Sequence, residues 1–419
     1  MSIKHKFILI ISTVLVLSAL TITSCTGGIV RGWSGGVVSD GTIFIASMKG
    51  KLIALDATGD QLKSIGTSVK FTVTISGGLL GCAASSSPLV FYASPVVADA
   101  TVTDTADPNY GSVYQVAYVG GKDGKIYAYT LIKGVWSTAP EYIYPRQGTV
   151  DAEIIGGIIL DNDTIYYALS DGTVNALNAK DLTYKWSYKI NSKIWSAPAV
   201  DGNTLYIGGF DKIVYALNTS DGAEKWKYTT DGAINSTPVV YNNTVYIGDY
   251  SRHFYALDAT TGNLVWRFPT EDIVTGDPKN FFWAKAVVLN GVIYAANLDG
   301  NVYALDLSTG KLLNTFNLGD SISSSPVVIG NNIIVATSVA SYAPSKERGN
   351  IFVINTSDNT KSLLASIPKY EGINAPLFAY GNTVYVHTTK DNLYEIDAVT
   401  GQFKHSSTFS LITETYSAK

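Results

Sequence analysis

Apolar and polar positions follow a block of about 35 residues that recurs along the chain. The clearest copies run from 194 to 228, from 234 to 268 and from 282 to 316. Corresponding tyrosines in three successive copies, Tyr166, Tyr206 and Tyr246, are spaced by 40 residues. Periods of this length are typical of solenoids, propellers and other repeat arrays. Weaker copies complete a prediction of eight units between about residues 29 and 410, and they begin near residues 33, 94, 154, 322 and 373.

Each unit contains four short strand patterns separated by turn signals. In the copy that starts at residue 282, these patterns span 285–289, 292–296, 301–306 and 311–316. The first is a continuous apolar run, as expected for a strand buried on both faces. The middle two alternate and are rich in Val, Ile and Tyr, which predicts half-buried strands. Asp-Gly and Thr-Gly pairs between the strands favour tight hairpin turns.

Four antiparallel strands per unit, repeated eight times, predict an all-β fold: an eight-bladed β-propeller of four-stranded antiparallel blades. An open β-solenoid is the alternative, although its coils are usually shorter and more uniform. Outside the N-terminus no window shows a sustained apolar period of 3.6 residues, so very little helix is expected. Because a closed ring folds as one unit, residues 25–419 are predicted to form a single domain and a monomeric ring.

The first 24 residues have the features of an export signal. A short positively charged start precedes an apolar stretch, 7–21, that is too short to favour a membrane-spanning helix. The stretch ends in Ile-Thr-Ser-Cys at 22–25, which resembles a bacterial lipobox and predicts lipidation of Cys25. An ordinary cleaved signal with an incidental cysteine is the alternative. We therefore expect an exported protein, anchored to the periplasmic face of an outer membrane or otherwise to the outer face of the cytoplasmic membrane.

Charge and cysteine content narrow the class of function. Removal of residues 1–24 leaves 28 basic against 34 acidic residues, and no basic run is present. Because nucleic-acid binding depends on clustered positive charge, a nucleic-acid partner is not expected. Lipidation of Cys25 would leave Cys82 as the remaining thiol, without a disulfide partner in the chain. Its apolar surroundings predict a buried, inert cysteine.

A second motif carries a family resemblance. The pattern Ala-x-Asp/Asn-x-x-x-Gly-x-x-x-Trp resembles the tryptophan-docking motif of pyrroloquinoline-quinone-type (PQQ-like) propellers. In that family the tryptophan packs onto the neighbouring blade and the Asp or Asn supports the turn. The pattern occurs twice in full, as Ala216, Asn218, Gly222 and Trp226, and as Ala256, Asp258, Gly262 and Trp266.

Two branches of this superfamily imply different functions. In the quinone-cofactor dehydrogenases, the cofactor lies between a tryptophan and a disulfide of adjacent cysteines, beside a calcium ion. This chain has no Cys-Cys pair, and no cofactor residue can be matched. The other branch contains non-enzymatic propeller lipoproteins such as the outer-membrane assembly factor BamB, which this chain resembles in its lipobox and eight units.

That resemblance implies a non-enzymatic, lipid-anchored envelope scaffold with protein partners and no cofactor, which acts in envelope or outer-membrane protein assembly. The alternatives are a PQQ-dependent dehydrogenase and a receptor that binds a small molecule or glycan at the channel mouth.

Two sets of residues are candidates for contact with a ligand or partner. Trp33, Trp195 and Trp283 share one register at the start of the innermost strand, near the expected channel mouth. Packing between blades is the alternative role for these side chains. The second set lies in insertions, where binding residues commonly occur. It comprises Phe281 in the insertion 269–281, and Tyr342 and Arg348 in the insertion 339–349.

Motifs for catalysis and metal binding are weak. The segment 32–36 matches G-x-S-x-G, but it aligns with the entry to an innermost strand and lacks the strand-turn-helix context of a nucleophile elbow. His253, His387 and His405 fall in different units and have no metal-ligand spacing. We therefore predict no catalytic residue and no metal site.

Overall fold

The computed structural model describes residues 34–59, 61–75, 85–101, 111–147, 150–270, 277–339, 347–368, 370–405 and 407–418. Cys25, Trp33, Cys82 and Tyr342 lie outside these residues, so the predictions made for them stay predictions. In the described part of the chain, all regular secondary structure is β-strand and there is no helix.

Eight antiparallel sheets follow one another along the chain, and each sheet is built from one continuous segment. Blade I contains β1 (Gly36–Ser39), β2 (Thr42–Ala46), β3 (Lys51–Asp56), β4 (Lys63–Ser64) and β5 (Val69–Lys70). A separate hairpin follows it, formed by β6 (Thr72–Ile75) and β7 (Ser85–Pro88). Blade II contains β8 (Val96–Thr101), β9 (Val113–Gly120), β10 (Ile126–Ile132), β11 (Val135–Trp136) and β12 (Tyr142–Tyr144).

The next four blades have the most regular form, with four strands paired in chain order. Blade III contains β13 (Ile158–Asp161), β14 (Thr164–Ala168), β15 (Thr173–Asn178) and β16 (Tyr184–Lys189). Blade IV contains β17 (Ala199–Asp201), β18 (Thr204–Gly208), β19 (Ile213–Asn218) and β20 (Glu224–Thr229). Blade V contains β21 (Val239–Tyr241), β22 (Thr244–Gly248), β23 (Phe254–Asp258) and β24 (Leu264–Phe268). Blade VI contains β25 (Val287–Leu289), β26 (Val292–Ala296), β27 (Asn301–Asp306) and β28 (Leu312–Asn317).

The last two blades complete the ring. Blade VII contains β29 (Val327–Ile329), β30 (Asn332–Val339), β31 (Arg348–Asn355) and β32 (Thr360–Ser366). Blade VIII contains β33 (Phe378–Tyr380), β34 (Thr383–His387), β35 (Asn392–Asp397), β36 (Ser407–Ser410) and β37 (Thr415–Ala418). The predicted eight-bladed β-propeller is confirmed, with a fifth short strand in blades I, II and VIII.

Burial along the strands differs from the prediction. The first strands were expected to be buried on both faces, but β17, β25 and β29 are half-exposed or exposed. These first strands lie against one another around the centre of the ring, where one face borders the channel. The middle strands, expected to be half-buried, are almost fully buried in β18 and β26. They are covered because each sheet is packed between the sheets of two neighbouring blades.

The docking tryptophans connect neighbouring blades through a paired glycine. Trp226 lies against the next blade, and its Nε1–H donates to the carbonyl oxygen of Ala259 at 2.9 Å. A Cβ atom added to Gly262 would lie 2.7 Å from the Trp226 ring. Gly262 also has φ +75°, a left-handed conformation that favours glycine. Each motif glycine therefore accommodates the tryptophan of the preceding blade, and the pairs are Trp186–Gly222, Trp226–Gly262 and Trp266–Gly310.

The ring closes between blades I and VIII without exchange of a strand, since each blade comes from its own segment. Buried apolar side chains of both blades form one cluster, which includes Ile43, Phe378 and Phe409. The closure also has polar contacts, among them an ion pair of 2.7 Å between Lys51 Nζ and Glu414 Oε1. Packing and side-chain contacts thus join the two chain ends.

Buried His387 adds a second polar contact at the same junction. Its Nδ1 lies 2.7 Å from the carbonyl oxygen of Ser34 in the segment that leads into blade I. Its Nε2 lies 2.9 Å from Asp391 Oδ1, which also accepts the backbone N–H of Met48 at 3.0 Å. The Ser34 hydroxyl donates to the carbonyl oxygen of Gly35 at 2.9 Å. The His387 side chain therefore contacts the backbone of Ser34 and not its hydroxyl, and this contact connects blade VIII to blade I.

Candidate site at the mouth of the central channel

A cavity of about 610 Å³ lies at the centre of the ring. Its wall comes from the start of the first strand in successive blades, because equivalent positions of a circular repeat lie at the same height. The predicted register places Trp195 and Trp283 in this wall. The other described residues that line the cavity at this register are Tyr92, Ile155, Asn235, Ser323 and Asn374.

Half-buried aromatic side chains of blades IV, V and VI form a continuous cluster at this mouth. The ring centroids of Trp195 and Phe210 are 4.9 Å apart, and those of Phe210 and Tyr250 are 5.7 Å apart. Tyr250 stacks on Phe281 at 4.5 Å and on Trp283 at 6.4 Å. We call these five residues the aromatic cluster. It unites two channel-mouth candidates with the candidate from the insertion 269–281.

Strand direction explains why these residues meet. Phe210 lies in the turn between β18 and β19, and Tyr250 lies in the equivalent turn of blade V. Because the strands of a blade alternate in direction, this turn and the start of the first strand are on the same face of the ring. Sequence reasoning missed both residues. Their spacing of 40 residues, combined with this alternation, was the signal that could have found them.

Two charged residues line the cavity among those the structure describes, Glu153 and Lys285. Glu153 Oε1 forms an ion pair with Lys122 Nζ at 3.4 Å. Lys285 is an exposed residue of the cavity wall, and the protein around its side chain lowers the pKa of its ammonium group by partial desolvation. No charged group of the described residues contributes to that shift. The cavity therefore has one basic group without a described counterion.

Asn235 is a second polar group without a full set of partners. Its residue is 7 % exposed, and its Oδ1 has no hydrogen-bond partner among the described residues. Buried amide groups are normally hydrogen-bonded, so an unpaired one in a cavity wall is unusual. Asn235 and Lys285 come from consecutive blades, V and VI.

A second cavity, of about 460 Å³, adjoins the first and shares Trp283, Ser323 and Asn374 with it. Its other lining residues are Leu298 of blade VI, Ser321 between blades VI and VII, and Ser338 and Val339 of blade VII.

Arg348 lies apart from the aromatic cluster. Its guanidinium donates to both carboxylate oxygens of Asp320, from Nε at 3.0 Å and from Nη2 at 2.8 Å. The side chain is 61 % exposed. Because the pair is bidentate and the Asp320 side chain is 20 % exposed, Asp320 already holds the guanidinium of Arg348 in place. A partner contact by Arg348 stays a prediction.

The described residues do not match the quinone site of the dehydrogenase branch. The cavity wall contains tryptophans, but the chain has no adjacent cysteine pair. Across the described ranges, no group of three or more His, Cys, Asp or Glu residues is placed to hold a metal ion. The same ranges contain no helix that is long and apolar enough to cross a membrane.

Eight antiparallel blades, with a tryptophan docked on a glycine at three of the described junctions, are typical of PQQ-like repeat propellers. The sequence model of one family in this class, described as outer membrane protein assembly factor BamB, matches residues 170–407. This match covers more than half of the chain, and the chain belongs to that family. The resemblance inferred from the docking motif is therefore confirmed.

Solved structures share the propeller fold at low sequence identity. BamB from Moraxella catarrhalis is 18% identical with a TM-score of 0.54, and the match covers 75% of this chain and 89% of that chain. The computationally designed protein Ika8 is 14% identical with a TM-score of 0.59, covering 85% and 93%. Quinohemoprotein alcohol dehydrogenase ADHIIG from Pseudomonas putida HK5 is 14% identical with a TM-score of 0.55, covering 69% and 64%. At these identities the likeness shows the fold alone. No curated protein sequence matches the chain.

Proposed function

We propose that this protein is a non-enzymatic, lipid-anchored scaffold of the cell envelope that binds protein partners during outer-membrane protein assembly. Membership of the BamB family supports this function. Lipidation of Cys25 would place the ring at a membrane surface, with residues 1–24 removed. The observation that carries the proposal is the half-buried aromatic cluster on one face of the ring.

The chemistry of the aromatic cluster suits a protein partner. Aromatic residues dominate binding energy at protein interfaces because they cover a large area and lose little conformational entropy. The hydroxyl of Tyr250 is protonated at neutral pH and can donate a hydrogen bond, and burial raises its pKa further. The cluster rests on the strand starts and turns of blades IV to VI, which provide a rigid support.

Photo-crosslinking tests this proposal in the cell. A photoreactive phenylalanine analogue at position 281 should form crosslinks to components of the outer-membrane protein assembly machinery. Tyr250→Ala and Phe281→Ala should weaken capture of that partner at least tenfold, equivalent to about 1.4 kcal/mol. Tyr241→Ala is the matched control, because Tyr241 is 44 % exposed at the end of β21, on the opposite face. Equal capture by all three variants would refute a role for the aromatic cluster.

A separate variant tests the insertion of blade VII. The double substitution of Tyr342 and Arg348 by Ala removes both side chains and keeps buried Glu347, whose Oε2 accepts the Thr389 hydroxyl at 2.9 Å. If these two residues bind the partner, the double variant should fold normally and lose capture as the Phe281→Ala variant does. Full capture by the double variant would restrict the binding site to the aromatic cluster.

A further inference from the structure

Side chains of different chemical type, from three consecutive blades, line one corner of the central cavity. Trp195, Asn235 and Trp283 occupy the same register in blades IV, V and VI, so the amide lies between two indoles. Lys285 follows Trp283 by two residues and therefore projects from the same strand start into the same cavity. The corner thus offers flat apolar surfaces, one amide and one amine. Such a mixture of apolar walls and a few polar groups is typical of small-molecule sites.

Lys285 supplies the positive charge of this corner. Glu153 is the acidic residue in the described cavity wall, and Lys122 already pairs with it at 3.4 Å. Partial desolvation lowers the pKa of Lys285 without compensation from a carboxylate, which means that the ammonium form lacks a counterion. A bound anion would supply that counterion and favour the protonated amine.

Because of Asn235, a ligand at this corner should also carry a hydrogen-bond donor. The Oδ1 of Asn235 is buried and accepts no hydrogen bond from the described residues. This feature is independent of the charge on Lys285, and it involves a different blade. A ligand that carries only a negative group would leave this oxygen unpaired, whereas a hydroxyl or amino group would satisfy it.

We propose that the central cavity binds a small, flat organic anion that also carries a hydrogen-bond donor. The anionic group lies at Lys285, the donor lies at Asn235, and the ring of the ligand packs beside Trp195 and Trp283. An aromatic hydroxy acid is the simplest molecule with these features. A volume of about 610 Å³ lies within the usual range for small-molecule sites. This site shares Trp195 and Trp283 with the aromatic cluster, but Lys285 and Asn235 lie outside that cluster, so ligand binding does not depend on the scaffold function.

Three probes separate the contributions of charge and donor: 4-hydroxybenzoate, benzoate and 4-hydroxybenzamide. Isothermal titration calorimetry should give the highest affinity for 4-hydroxybenzoate, which has both features. Benzoate lacks the donor and 4-hydroxybenzamide lacks the charge, so each should bind more weakly. Quenching of tryptophan fluorescence by 4-hydroxybenzoate should report contact with Trp195 and Trp283.

Substitutions then assign each contribution to a residue. Lys285→Gln should lower the affinity for 4-hydroxybenzoate at least tenfold, so that it binds no more tightly than 4-hydroxybenzamide. Lys285→Arg should keep the preference for 4-hydroxybenzoate. Asn235→Leu should remove the advantage over benzoate and leave the charge preference unchanged. Lys193→Gln is the matched control, because Lys193 is exposed two residues before Trp195 and does not line the cavity.

The pH dependence gives a further readout. Benzoate stays ionised throughout the neutral and alkaline range and has no phenol that titrates there, so the affinity of the wild type for benzoate should fall as rising pH deprotonates Lys285. The Lys285→Gln variant should show no such fall. Equal binding of 4-hydroxybenzoate by wild type and Lys285→Gln, or no binding by the wild type at millimolar concentration, would overturn the proposal. Either result would leave the partner-capture experiments on Tyr250 and Phe281 unaffected.

Discussion

Truncation of a docking tryptophan should remove a large part of the contact between two blades. Trp226 is 8 % exposed, packs beside Tyr206 with ring centroids 5.7 Å apart, and covers Gly262 of the next blade. Trp226→Ala leaves a cavity at this junction, and truncation of a buried tryptophan costs about 3–5 kcal/mol of unfolding free energy. The carbonyl oxygen of Ala259 keeps a second donor, the Tyr206 hydroxyl at 3.0 Å. We therefore add no penalty for an unpaired acceptor.

Urea unfolding monitored by circular dichroism measures this loss. Trp226→Phe should cost about 1.5 kcal/mol, since it keeps an aromatic ring at the junction and loses the N–H donor. Lys311→Ala is the surface control, because Lys311 is exposed immediately before β28, and it should cost less than about 0.5 kcal/mol. If Trp226→Ala and Lys311→Ala had the same unfolding free energy, the inter-blade role of the tryptophan would be wrong.

Three further predictions concern the docking glycine, a turn carboxylate and the anchor. Gly262→Ala should lower the free energy of unfolding more than Gly291→Ala does. Both glycines have φ near +75°, but only an alanine at 262 would meet the ring of Trp226. Chemical denaturation measures the difference. Hydrogen bonds from Ser308 and Thr309 lower the pKa of Asp306 from an ordinary 3.8 to about 2. The ionised carboxylate therefore stabilises the folded state fully at any pH above the ordinary value. The stability advantage of wild type over Asp306→Asn should therefore shrink from about pH 4 to about pH 2, measured by thermal melts, and a constant advantage would contradict this. Cys25→Ser should abolish partitioning into the detergent phase, and unchanged partitioning would exclude the lipid anchor.

Local features explain why the strands could be predicted closely. In blade VI the predicted spans 292–296 and 301–306 coincide with β26 and β27. Alternation of apolar residues and an Asp-Gly turn act over a few neighbouring residues, so the local sequence specifies them. The burial of each strand was assigned wrongly because it depends on what covers a sheet. In a ring the middle strands are packed between two blades, while the first strands border the channel.

The candidate site was predicted only in part for the same reason. The repeat register placed Trp195 and Trp283 in the cavity wall, since equivalent positions of a ring share one height. Phe210 and Tyr250 were missed because their contacts cross from blade to blade. The pairing of Arg348 in β31 with Asp320 in the connection after β28 has no signature in the sequence.

The number of units, the order of strands in each blade, and the spacing of tryptophan and glycine that docks one blade on the next can all be predicted from the repeat alone. These features repeat locally and couple only nearest neighbours. Ring closure, through Lys51 with Glu414 and through His387 with Ser34, is visible only in the folded structure. The folded structure also decides that Lys285 and Asn235 share one cavity wall. Closure and channel both depend on bringing distant segments together around an axis, and a local pattern contains no information about which distant residues then meet.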